Sequence, residues 1–222
     1  MIDVLYEDNH LLCVCKPPNL PVQADASGDM DLLTLGKAYL KEKYHKPGNV
    51  YLGLVHRLDR PVGGVMVLAR TSKAASRLSE SIRTHQVDKW YLAVLDGIPA
   101  EASGTLTDYL EKDHDTNTVR ISDAAHGKRS SLSYELLASH GPRSLVRIHL
   151  ETGRSHQIRV QFASRGLPLV GDQRYNPHPE RMQIALFACR LSFPHPVTKE
   201  IVTVEAEPPV SAPWNEFEVR SS

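Results

Sequence analysis

The chain has 222 residues, is 41% hydrophobic and 23% charged, and balances 26 basic against 26 acidic side chains. This is the composition of an ordinary globular protein with room for one large domain or two small ones. It excludes a chain-wide basic signal for nucleic acid and a membrane span of about 20 apolar residues; three cysteines (Cys13, Cys15, Cys189) without CxxC spacing exclude a disulfide framework or zinc ribbon.

The first residues, Met1–Ile2–Asp3–Val4, have neither a basic segment nor an apolar one, so no secretory signal is expected and the cytoplasm is the expected compartment. Val4–Glu7 and Leu11–Lys16 read as short strands around a turn at Asp8–Asn9, the second nearly continuous in apolar residues, as a buried strand is. Lys16–Pro17–Pro18–Asn19 stops it, since proline donates nothing to a ladder. Asp31–Tyr44 places Leu32, Leu35, Ala38 and Tyr39 at helical spacing, and Pro47–Gly48 closes it. Gly64–Arg70 is a strand, and Ser72 is the expected cap of a helix to about His85. Further strands are expected at Lys89–Asp96, Gly104–Leu110, Thr118–Ser122, Ser131–Ala138 and Ser144–Glu151, separated by short turns and therefore antiparallel. Ser155–Arg165 carries an expected N-cap in Ser155 and a C′ glycine in Gly166 for a short helix. Strands return at Ala185–Phe193 and Glu200–Glu205. With no repeat, low-complexity tract or long linker, residues 1–222 read as a single domain. Ten strands and three helices make it α+β around a large mixed, mostly antiparallel sheet with a few flanking helices.

Charge is unevenly spread. Residues 1–35 hold one base against six acids, a balance of −5; residues 120–175 hold nine bases against four acids, a balance of +5. A basic middle suits a local phosphate-facing surface; the alternative is a solvated face without a partner.

Three segments carry candidate chemistry. Val55–His56–Arg57–Leu58–Asp59–Arg60–Pro61–Val62–Gly63–Gly64 sets one aspartate between two arginines at a turn ahead of an apolar run. Cations beside a carboxylate favour its ionised form, and such a carboxylate can attack an electrophilic carbon or take a proton. The plain alternative is a turn aspartate bonding its own backbone, with the glycine pair a simple entry to a strand. Glu151–Val160 places Arg154 and Arg159 around a helix start, which suits an anion; the alternative is a capped helix with solvated arginines. Lys89–Trp90–Tyr91 opens a strand with Lys89 and Tyr91 on one face, and an exposed tyrosine there would stack on a base; the alternative is a core aromatic. Eleven histidines form no HExxH, HxH or Cys/His ligand pattern, and no GxxxxGK[ST], GxGxxG or GxSxG occurs, so metal, nucleotide and serine-hydrolase readings have no support.

Taken in order, Leu12–Pro17, His56–Asp59, Lys89–Val94, Gly153–Val160 and Pro168–Tyr175 resemble the motifs of pseudouridine synthases of the RluA type, a resemblance running from about Val4 to about Glu205. It implies the pseudouridine synthase fold with a central catalytic cleft, here without an N-terminal S4-like RNA-binding domain. It implies isomerisation of uridine in structured RNA, ribosomal or transfer, to pseudouridine: C1′–N1 breaks, the base turns and C1′–C5 forms, with no metal or cofactor. By the same resemblance Asp59 is the essential carboxylate, Arg159 pairs with it, Tyr91 stacks on the target base, Ile158 walls the pocket, and Arg57 fills the gap left by the flipped uridine. His56, Lys16, Lys89, Arg154 and Gln157 join the substrate-binding set. A monomer without an obligate protein partner or membrane is implied. Two departures stand out: Val62–Gly63–Gly64 replaces Thr-Ser-Gly after the aspartate, and Asn19 replaces a glycine, a mild change because Asn tolerates positive φ. The rival readings are a non-catalytic RNA-binding protein on this fold and a carboxylate-dependent glycosidic hydrolase, which would need a second placed carboxylate.

Overall fold

A strand buried on both faces has no polar side to show, and β2 (Leu11–Lys16) and β4 (Gly63–Ala69) are such strands. They pair antiparallel, Leu11 opposite Ala69 and Lys16 opposite Gly64. The computed structural model describes residues 2–217. These fall into two compact units: the residues up to Asp88 with Ala188–Glu207, and Lys89–Phe187 with the residues from Pro208 on.

In the first unit β1 (Asp3–Glu7) flanks β2, the two-residue β3 (Gly53–Leu54) pairs with β4, and the hairpin of β10 (Leu186–Pro194) and β11 (Ile201–Glu205) completes the strands, β10 beside β4. Helix α1 (Leu32–Lys43) presses Gly36 against Leu52, Leu12 and Leu68 on one face. Helix α2 (Ser72–Arg83) seats Ala74 and Leu78 with Leu11, Cys13, Val65 and Val67 on the other. Asp31 caps α1, accepting from the Thr34 amide at 3.0 Å. Thr71, not Ser72, caps α2: its hydroxyl accepts from the Ala74 amide at 3.1 Å, three residues on, and Ser72 is already helical.

The second unit is a meander-like sheet in the order β5 (Asp88–Asp96), β9 (Arg143–Leu150), β8 (Lys128–His140), β6 (Ser103–Asp113), β7 (Thr118–Ser122), every pair antiparallel. Here β6 alternates, Leu106 buried between exposed Thr105 and Thr107, as a sheet with one wet face does. Helix α3 (Gln157–Ala163) lies on the dry face, with Val160 against Leu110 and Val119, and Phe162 edge-on to Tyr134 at 5.6 Å. Gly166 ends it at φ +73°, with amides of Gly166 and Leu167 reaching back to Ala163 and Phe162, the expected glycine C-cap. A single 3₁₀ turn, Trp214–Glu216, follows the last strand. No helix among the described residues is long and apolar enough to cross a membrane.

Candidate active site

In the first unit, Asp59 sits partly exposed in the loop that leads into β4. Buried Leu58 and Val62 anchor the loop on either side, and the Val62 amide donates to the Asp59 carbonyl at 2.9 Å, closing a turn. His56 pins the loop's start to the strand: its Nε2 accepts from the Val67 amide at 3.0 Å. At the far end Gly64 has φ +124°, and a Cβ there would collide with the Ala188 backbone, so only glycine fits. The Gly63–Gly64 pair thus serves a close strand–strand approach.

Lys16 organises this corner from beneath. It is fully buried, and its ammonium donates to the carbonyls of Pro17 (3.0 Å), Leu20 (2.9 Å) and Arg60 (3.1 Å), three protons for three acceptors. Burial, and to a lesser extent the charge of Arg60, push its pKa down to about 8, while the negative charges of Asp59 and Cys15 pull the other way. Lys16 was expected among the substrate-binding residues; a side chain with no exposed surface reaches no RNA, and its contacts make it a positioning residue for the Asp59 loop. Asn19 in the same turn does adopt positive φ, +65°.

The arginines beside Asp59 are engaged elsewhere than expected. Arg60 donates to Asp25 (3.4 Å), Ser27 (3.1 Å) and Asp29, so the acidic 25–29 segment takes its charge. Arg57 is exposed and donates to Gln23 at 3.1 Å. The charge of Lys16, from a strand 43 positions earlier in the sequence, is felt together with that of Asp59.

In the second unit, Tyr91, expected as the stacking tyrosine, lies on β5 opposite Ile148 of β9 and is 9% exposed. Lys89 shares its face, and Trp90 points the other way, stacked on His149 at 4.5 Å. Ile158 and Gln157 are buried in α3. The helix begins differently from the expectation. Ser155 is not the cap; His156 occupies that place in the left-handed region (φ 51°) with no side-chain cap bond. Gln157 does the work instead: its Oε1 accepts from the Arg154 amide (3.0 Å) and Thr152 Oγ (2.8 Å), and its Nε2 donates to the Ser131 carbonyl (3.0 Å). With these bonds made inside the fold, Gln157, expected to bind substrate, holds the 152–154 loop. Arg154 is exposed.

Arg159 is buried and forms a two-pronged pair with buried Asp172, Nε to Oδ2 at 2.9 Å and Nη2 to Oδ1 at 2.7 Å. Burial raises the Asp172 pKa, but the Arg159 bonds and charge, with the amides of Arg174 (2.9 Å) and Tyr175 (3.2 Å), win and hold it below the usual carboxylate range. The guanidinium also lies 5.1 Å from the centre of the Tyr175 ring. The Tyr175 hydroxyl takes the Val119 amide (2.9 Å) and bonds His156 Nδ1 (2.6 Å). Gly171, φ +73° and 2.5 Å from Gln183 O at its missing Cβ, makes the turn that delivers Asp172. Asp172, Tyr175 and His156 had been assigned no role; the Gly171–Asp172–x–x–Tyr175 run was the available signal.

Among the described residues no group of three or more His, Cys, Asp or Glu has metal-holding geometry. What the two corners offer is a loop carboxylate beside a buried cation in one unit, and a buried, oriented guanidinium with a strand tyrosine in the other.

A family model described as RNA pseudouridylate synthase matches residues 10–164. The ribosomal large subunit pseudouridine synthase D of Zymomonas mobilis is 32% identical over 94% of this chain and 69% of its own length. An uncharacterised RNA pseudouridine synthase of the same organism is 35% identical over 93% of each. Among solved structures, human RNA pseudouridylate synthase domain containing 4 superposes with a TM-score of 0.80 at 23% identity, covering 93% of this chain and 88% of that one, which establishes a shared α+β fold.

Proposed function

The chain belongs to the RNA pseudouridylate synthase family, isomerases that act on RNA, and we propose that the RNA it modifies is ribosomal. The observation that carries this reading is the family match over residues 10–164, joined by similarity across 94% of this chain to a relative named for the ribosomal large subunit, 69% of whose length is covered. An enzyme of this kind works where ribosomal RNA is, and the cytoplasm is its proposed compartment.

The reaction moves a base without gaining or losing atoms. The C1′–N1 bond breaks, C1′–C5 forms, the C5 proton leaves and N1 gains one, so the chemistry asks for a carboxylate and for a base held while it turns. Asp59 is the proposed carboxylate, and its loop, pinned by Lys16 and His56, supports that role by fixing the backbone on either side of it. Arg159 and Tyr91 are proposed as catalytic partners and Ile158 as a pocket wall. Arg57, exposed and donating to Gln23, suits insertion into the stack vacated by the uridine. Extracting that nucleotide costs a few kcal/mol, which protein contacts must offset.

Mapping pseudouridine in total RNA from cells with and without this gene tests the substrate. Loss of one or a few sites in ribosomal RNA is expected. Losses confined to transfer RNA, or none at all, would overturn the ribosomal assignment.

A further inference from the structure

The basic side chains of the second unit divide into two sets. Arg120, Arg143, Arg147, Arg159 and Arg165 each bind a carboxylate. Lys89, Lys112, Lys128, Arg129, Arg154, Arg174 and Arg181 form no ion pair among the described residues.

The topology gathers four of these seven, Lys89, Lys128, Arg129 and Arg154, at one edge. Lys128 and Arg129 open β8, Lys89 stands at the start of β5, and Arg154 follows the end of β9, strands that are neighbours in the order β5-β9-β8. Leu132 faces Leu150 in register, and beyond it Ser131 and Thr152 exchange two bonds, the Ser131 amide to Thr152 Oγ1 at 2.9 Å and the Thr152 amide to the Ser131 carbonyl at 3.1 Å. Arg154 Nε then reaches the Arg129 carbonyl at 3.4 Å. Lys89 Nζ comes within 3.3 Å of where a Cβ on Gly153 would stand, so the glycine leaves the ammonium its space.

Lys89 differs from a solvated surface lysine. It is half-buried, and burial alone lowers its pKa. Withdrawing an ammonium from water with no counter-ion works against folding. A fold keeps such a cost where something outside the chain supplies the anion, the usual trade of stability for function.

We propose that Lys89, Lys128, Arg129 and Arg154 form a phosphate-binding surface that takes the backbone of the RNA substrate outside the reacting nucleotide. The proposal rests on the RNA-modifying reading above and deepens it. Phosphate contacts hold register without reading sequence, which suits an enzyme that must present one uridine of a folded RNA to a fixed site.

The test is binding of a labelled 20-nucleotide oligouridylate, followed by anisotropy across a potassium chloride titration, with all variants on an Asp59→Asn background. Removing Lys128, Arg129 and Arg154 together by substitution with Gln is expected to weaken binding about tenfold or more and to flatten the log–log salt slope by about 2, three contacts at ~0.7 each on a single strand. Lys89→Met is expected to weaken binding while leaving the melting temperature unchanged or higher; a merely structural lysine would lower it. Removing equal charge at exposed Lys37, Lys41 and Lys73 of the first unit serves as control. An unchanged slope in the triple variant, an equal loss in the control, or a lower melting temperature with intact binding for Lys89→Met would overturn the surface. Because the readout is binding, an active enzyme with an unchanged slope refutes the surface alone, whereas a wild-type chain that makes no pseudouridine refutes the reading beneath it.

Discussion

Each unit buries one cation among the residues of its candidate corner, and the two are compensated in opposite ways. Lys16 gives its three protons to three backbone carbonyls and, among the described residues, meets no carboxylate at bonding distance. Arg159 gives a planar fork to the Asp172 carboxylate. The difference follows from the groups: an ammonium is a compact point charge that can tie several chain segments together, whereas a guanidinium is a rigid fork that a carboxylate orients. Carbonyls leave the lysine's charge uncancelled, and that charge is felt by Asp59. The Asp172 carboxylate offsets the arginine's charge and fixes the direction of its plane. One device shapes a loop; the other aims a side chain.

Breaking the second device has the larger expected effect. Asp172→Ala strands a buried guanidinium and should cost about 3–5 kcal/mol in urea unfolding; Asp172→Asn, which keeps one acceptor and the shape, should cost less. The wild-type pair also carries an acid limit. Because the folded Asp172 pKa lies below its unfolded value, its contribution is full above about pH 4 and is lost as pH falls further, a dependence absent from Asp172→Asn.

Lys16→Met should be milder for stability, about 1–3 kcal/mol, since lost donors to three carbonyls are partly offset by relief of a buried charge. Its effect on pseudouridine formation should exceed its effect on folding, because the Arg60 carbonyl is released next to Asp59. The pH dependence of this group is a further effect. With a folded pKa of about 8 against an ordinary 10.5, the unfolded chain binds more protons between those values. The Lys16 contribution to stability therefore rises with pH across that window, by at most about 1.4 kcal/mol per unit. Activity should fall over the same window, as a neutral amine has two protons for three carbonyls. Unfolding midpoints and rates for wild type and Lys16→Met from pH 7 to 10 check both signs.

The same contrast marks what was legible in the sequence. The Lys16 corner was written locally: an apolar run ending in Lys-Pro-Pro-Asn located β2 to the residue, and Asn19 adopts the positive φ its identity allows. β7, read as Thr118–Ser122, was equally local. Misreadings came where a tertiary partner outcompeted a local one. Ser155 is a good capping residue, but Gln157, buried against Ser131, supplies the loop's bonds. Arg60 adjoins Asp59 in sequence yet pairs with Asp25 and Asp29, some thirty residues earlier. The Arg159–Asp172 pair spans a helix and a turn, and no periodicity reports it. β3, two residues long, is too short to show alternation.

The central claim is that this chain makes pseudouridine and that the Asp59 carboxylate is indispensable to it. Purified wild type and Asp59→Asn, incubated with a ribosomal RNA transcript and scored for pseudouridine, test it most directly. The account predicts product from the wild type and none above background from the variant, with identical circular dichroism and melting. Equal product from both would contradict it.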